Sequence, residues 1–60
     1  QRELNLARVR RAQRLMLDTD ASLTTIAIDS GFASPSAFSV AFRKLEGMSP
    51  SDWSTLRARP

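Results

Sequence analysis

The sequence predicts an all-α fold of four helices, and three observations carry that prediction. Apolar residues recur at three- and four-residue intervals along the chain, two Ser-Pro pairs stand where helices would begin, and the two glycines stand where helices would end. No segment is read as a strand.

Residues 1–18 contain no Gly or Pro and are rich in Leu, Ala, Arg and Gln, all good helix formers. They read as one long helix. Its apolar members Leu4, Leu6, Val9, Ala12, Leu15 and Met16 mark the inner side, while Arg10, Arg11 and Arg14 fall mostly on the other, so the positive face looks outward. The polar break 18–22 ends in Ser22, which can cap a helix over about 23–30 through its hydroxyl. Leu23, Ile26, Ala27 and Ser30 form one stripe of that helix, and the small Ala27 lets another helix cross closely. Gly31 is expected to end it in the left-handed conformation, with Phe32 plugging the core at the turn.

Ser34-Pro35 pairs a hydroxyl cap with a proline at the first helical position, where a missing N–H costs nothing. The helix that follows runs to about Glu46 and stops at Gly47. Its inner face is Phe38, Ala41, Phe42 and Leu45. At 100° per residue Ser36, Val40 and Arg43 line up on the opposite side, flanked by Ser39 and Lys44. Ser49-Pro50 repeats the start signal for a short helix over 50–57, in which Trp53 and Leu56 are expected to close the core. Arg57 to Pro60 are expected to fray.

Sixty residues make one small domain with a thin core and marginal stability. The chain has no cysteine and no histidine, which removes disulfides, thiolate metal sites, the commonest metal ligand and the commonest general base. Ser, Asp and Glu are present, but no base is placed to activate a nucleophile. The sequence therefore predicts no enzyme, no catalytic residue, no metal and no cofactor. Apolar runs are short and broken by charge, so neither a membrane span nor a signal peptide is read, and a cytoplasmic protein is expected. The net charge of +3 is uneven: residues 1–17 carry five arginines against Glu3, or +4, and residues 18–60 carry four bases against five acids, or −1. That balance suits a polyanion partner or a solvated helix face equally.

The stretch 23–45 has the layout of a helix-turn-helix: a short helix, a turn with glycine, and a second helix with a polar outer face. Ala27 and Gly31, four apart, meet its two steric needs, close crossing and sharp reversal. With its flanks included, the set Arg8, Ala12, Leu15, Met16, Thr19, Leu23, Ile26-Ala27, Gly31-Phe32, Ser36, Phe38-Ser39, Phe42, Gly47, Ser49-Pro50 and Trp53 resembles the second, C-terminal helix-turn-helix of AraC/XylS-type bacterial transcription regulators. The resemblance covers roughly 8–54. It implies a small homeodomain-like helical bundle divided into a linking helix (1–18), a helix-turn-helix (22–46) and a C-terminal helix (50–57). It also implies sequence-specific binding of double-stranded DNA, with helix 35–46 in the major groove, by a nucleoid-associated transcription activator. The 60 residues would then be a single domain or a fragment whose parent chain also holds a first helix-turn-helix and an effector domain, with RNA polymerase as a further partner. Three positions depart from the family pattern: Val40 where Arg or Lys is usual, Glu46 where a bulky apolar residue is frequent, and Ser54 where Arg often follows the aromatic. Each puts affinity, rather than fold, in question.

The residues expected at base edges are Pro35, Ser36, Ser39, Val40 and Arg43. Arg43 suits guanine or a phosphate, Ser36 and Ser39 suit either base edges or their own backbone, and Val40 suits a thymine methyl or is a singly exposed valine. Pro35, with Ala37, is placed near bases by the resemblance. Phosphate contacts are expected from Ser22, Ser34, Lys44, Ser49 and Ser51, because helix N-termini present free amides and a positive dipole end, although capping alone also accounts for these serines. Arg8 lies on the inner side of the first helix and needs a partner, with Asp18, Asp29 or a main-chain carbonyl as candidates. The rival reading is a helical protein-interaction module that contacts polymerase or another subunit through Leu17, Ile28 and Val40.

Overall fold

The computed structural model describes residues 2–58. It contains four helices: α1 (Arg2–Asp18), α2 (Leu23–Asp29), α3 (Pro35–Glu46) and α4 (Pro50–Ala58). No strand occurs among the described residues. Gln1, expected in the first helix, and Arg59 and Pro60, expected to fray, lie outside them.

Each of the three later helices starts on a serine that acts as sequence reasoning requires. The Ser22 hydroxyl accepts from the Thr25 amide, that of Ser34 from the Ala37 amide and that of Ser49 from the Asp52 amide, at 3.2, 3.1 and 3.2 Å. Every such cap contributes about 1 kcal/mol by satisfying a donor the helix cannot. Gly31 closes α2 with φ +97°, its amide bonding the Ile28 carbonyl and the next amide, of Phe32, bonding the Ala27 carbonyl. These two bonds make a Schellman motif, and both Phe32 and Ala27 are buried in the core beneath it. Gly47 ends α3 in the same left-handed region, with φ +80°.

The core is the set Val9, Ala12, Ile26, Ala27, Phe32, Phe38, Ala41, Phe42 and Trp53, with Leu15, Met16, Leu23, Leu45 and Met48 packed around it. Four aromatic rings run through it in series. Phe32 meets Phe38 at 5.3 Å, Phe38 meets Phe42 at 5.6 Å and Phe42 meets Trp53 at 5.8 Å between centroids. The last two pairs are edge-to-face, an arrangement that adds about 0.5–1.5 kcal/mol per pair to area burial. This chain of rings joins the α2–α3 turn, α3 and α4 into one unit.

Three expectations are corrected. Leu4, placed on the inner side of α1, is 50% exposed. It sits seven residues, about 10 Å, before Arg11, where the end of α2 meets α1, so it lies past the end of α2. Leu56, expected to close the core, is 63% exposed. The inner stripe of α4 runs instead through the buried Pro50 and Trp53 and the half-buried Ser54 toward Arg57, the i, i+3, i+4, i+7 set. Arg57, expected to fray, stays helical, with its guanidinium carbon 5.3 Å over the Trp53 ring.

Candidate nucleic-acid interface

Helix α3 has two chemically separate sides. Phe38, Ala41 and Phe42 point inward and are buried. Pro35, Ser36, Ser39, Val40, Arg43 and Lys44 are all exposed, and Val40, at 57%, has no core to join. Among the described residues none of the side chains of Ser36, Ser39, Arg43 and Lys44 makes a hydrogen bond or ion pair. Their donors and acceptors are therefore available to a partner. The pattern follows from the period of 3.6: Phe38, Ala41 and Phe42 claim one stripe, and the polar residues are left on the other.

A cleft opens on either side of this exposed row. The first, about 440 Å³, lies between α1 and α3 and takes Ser36, Val40 and Lys44 on one wall and Asn5 and Arg8 on the other. The second, about 180 Å³, lies where the starts of α2, α3 and α4 converge, and its hydroxyls are those of Thr24, Ser39, Ser49 and Ser51. Arg43 borders neither cleft and occupies the ridge between them, because at 100° per residue it falls between Ser36 and Ser39. One cleft is thus flanked by cations and the other by hydroxyls, and α3 is the ridge that separates them.

The serines differ in what remains to them. Ser22 is engaged twice, accepting from the Thr25 amide and donating to the Thr25 hydroxyl at 3.1 Å. Ser34 and Ser49 accept one amide each and keep an O–H to donate. Ser51 is exposed, with only its carbonyl engaged, by Thr55 Oγ1 at 3.0 Å. Ser22 and Ser34 line neither cleft, so the five expected phosphate contacts are not gathered in one place.

Two residues of the first cleft were not foreseen as part of it, Asn5 and Arg8. The signal was present: Asn5, Arg8 and Ala12 are spaced i, i+3, i+7, which puts two polar side chains in line with a fully buried alanine. Arg8 also finds none of the three partners considered for it. Its guanidinium carbon stands 5.9 Å from the centre of the Phe32 ring, and the carboxylates take no part. A neighbouring arginine uses the main chain instead: Arg11 Nε donates to the Asp29 carbonyl at 3.3 Å, placing a cation at the C-terminal end of α2. Arg10 and Arg14 are exposed.

A family model described as a helix-turn-helix domain matches residues 1–55. The chain belongs to this family, the AraC/XylS-type helix-turn-helix domains. The match takes in all of α1, α2 and α3, both clefts and the capped start of α4. Searches of curated proteins and of solved structures returned no significant match. A helix-turn-helix domain of this type is a DNA-binding module of transcription regulation, a non-enzymatic kind of protein. No helix among the described residues is long and apolar enough to cross a membrane.

Proposed function

We propose that α3 enters the major groove of duplex DNA and reads it in sequence for a bacterial transcription regulator. The observation that carries this reading is the exposed, unpaired row on α3 standing as a ridge between a cleft flanked by cations and one flanked by hydroxyls. The major groove is about 12 Å wide and accepts one helix, with a sugar–phosphate strand on each side. Pro35, Ser36, Ser39, Val40 and Arg43 then face base edges, with Arg43 on guanine and Val40 on a thymine methyl. Ser22, Ser34, Lys44, Ser49 and Ser51 face phosphates, Ser49 and Ser51 from within the second cleft.

In that setting the chain is the C-terminal unit of an activator, with α1 as the linking helix, α2 and α3 as the helix-turn-helix and α4 as the closing helix. It works in the cytoplasm on nucleoid DNA, beside a first helix-turn-helix unit, an effector domain and RNA polymerase. The three departures from the family pattern predict modest affinity for this unit alone. Val40 replaces a base-reading cation, Glu46 adds negative charge and Ser54 withholds positive charge. With a charge of −1 over residues 18–60, few phosphates are neutralised and the salt dependence is shallow, about 0.9 in log–log slope per phosphate.

A chemical-shift titration with short duplex DNA tests the assignment. Amides of 34–44 are expected to move most. Movement confined to 3–10 and 50–57 would assign reading to another surface, and binding indifferent to added salt would favour the protein-interaction module.

A further inference from the structure

We infer that the cleft between α1 and α3 is a phosphate-binding site for one strand of the duplex, with Arg8 and Lys44 as its cations and Asn5 as an amide donor. The inference rests on the DNA-binding reading and extends it to α1, whose residues that reading leaves out.

Arg8 is the decisive residue. It is half-buried, and its stem lies so close to the helix-turn-helix corner that a Cβ added at Gly31 would come within 3.2 Å of Nε. Its guanidinium is held by the Phe32 ring, 5.9 Å from the centroid. Among the described residues no carboxylate, hydroxyl or carbonyl accepts a hydrogen bond from it. A guanidinium carries five N–H donors in one plane, and contact with an aromatic ring satisfies none of them. A partly desolvated cation with no acceptor is an unfavourable arrangement that an anion relieves.

The rest of the cleft suits such an anion. Lys44 and the Ser36 hydroxyl stand on the α3 wall and Asn5 joins Arg8 on the α1 wall, while no acidic side chain lines the cleft. Ala37 and Ala41 also line it, small enough for close approach. The cleft also shares Ser36 and Val40 with the ridge, so an oxygen-rich group seated there is continuous with whatever the ridge reads. A backbone phosphate beside the groove meets all of these conditions. Arg10 and Arg14, on the same helix, are exposed and line a separate all-arginine surface with Arg11, which makes them an internal control for charge that is merely near DNA.

The experiment measures binding of the chain to short duplex DNA, enriched by the wild-type chain from a randomised pool, over a range of salt, with melting temperature alongside. Arg8→Met keeps an apolar stem against Phe32 and removes the charge. Arg8→Met and Lys44→Met are each expected to flatten the log–log salt slope by about 0.9 without altering preference among sequences. Arg8→Lys is expected to restore the slope even where it lowers the melting temperature. The inference is overturned if Arg8→Met leaves the slope at the wild-type value, if Arg8→Lys fails to restore it in folded protein, or if Arg10→Met and Arg14→Met flatten it equally. A poly-glutamate peptide that protects Arg8 and Asn5 amides better than the duplex would assign the cleft to an acidic protein instead. Failure of the wild-type chain to enrich any duplex sinks the DNA-binding reading itself, a separate outcome.

Discussion

Phe42 meets Trp53 edge to face, with ring centroids 5.8 Å apart, and the contact attaches α4 to α3. Phe42 is fully buried and Trp53 nearly so. Replacing either with alanine removes one of the largest side chains of a thin core and leaves a cavity, costing about 3–5 kcal/mol. A domain of this size has little more than that in reserve. Phe42→Ala is therefore expected to unfold the chain at room temperature by circular dichroism, and a cooperative melt retained near the wild-type midpoint would contradict the packing described.

Capping and phosphate contact make opposite demands on Ser34, and one pair of variants separates them. Ser34→Ala removes the acceptor for the Ala37 amide and is expected to destabilise by about 1 kcal/mol. Ser34→Asp preserves the cap, since Asp ranks with Ser there, but sets a negative charge against any phosphate. Unchanged melting temperature with weakened DNA binding is the expected result for Ser34→Asp. Unchanged binding would leave Ser34 as a cap alone.

Both glycines have positive φ, yet they differ in surroundings. Gly47→Ala meets open space and is strained by the backbone only, by about 1–2 kcal/mol. Gly31→Ala carries the same strain and also presses on Arg8. It is expected to lower stability further, and the excess is expected to vanish in an Arg8→Ala background, a coupling that a double-mutant cycle reads directly.

Ser30 is 3% exposed and its hydroxyl has no hydrogen-bond partner among the described residues. Its burial follows from the stripe Leu23, Ile26, Ala27, Ser30, which faces the core whatever occupies the last position. Ser30→Ala removes a desolvated polar group at almost no loss of volume, so it is expected to be neutral or stabilising by up to about 1 kcal/mol. A loss of stability in thermal melts would mean that the hydroxyl has a partner.

Arg43→Ala is expected to weaken specific binding by about 1–3 kcal/mol if Arg43 reads a base, and to relax preference at one position of the site. Binding assays against single-base variants of an enriched duplex decide between this and a phosphate role, in which all variants weaken alike.

Much of this architecture is legible in the amino acids because the signals are local. Ser34-Pro35 and Ser49-Pro50 announce helix starts through chemistry confined to one turn, and Gly31 and Gly47 announce ends through a conformation that other residues resist. The inner and outer sides of α3 follow from its period. What escaped depends on where neighbouring elements stop. Leu4 and Leu56 have the right apolar character but stay at least half exposed, a matter of tertiary geometry. Arg57 was expected to fray for the converse reason: an exposed arginine can anchor a helix end by laying its cation over a buried ring, which a reading based on apolar character alone passes over. Arg8 was placed on the inner side of α1, but its partner, the Phe32 ring, and with it the α1 wall of the first cleft, were not foreseen.

The separation of α3 into a buried aromatic side and an unattached outer side has an evolutionary meaning. Positions 36, 39, 40 and 43 take no part in holding the bundle together, so they can drift through many residue types while the scaffold survives. Descendants of such a domain can change this surface by a few substitutions, and an engineer can vary the same four sites in a library while the buried side keeps the bundle folded.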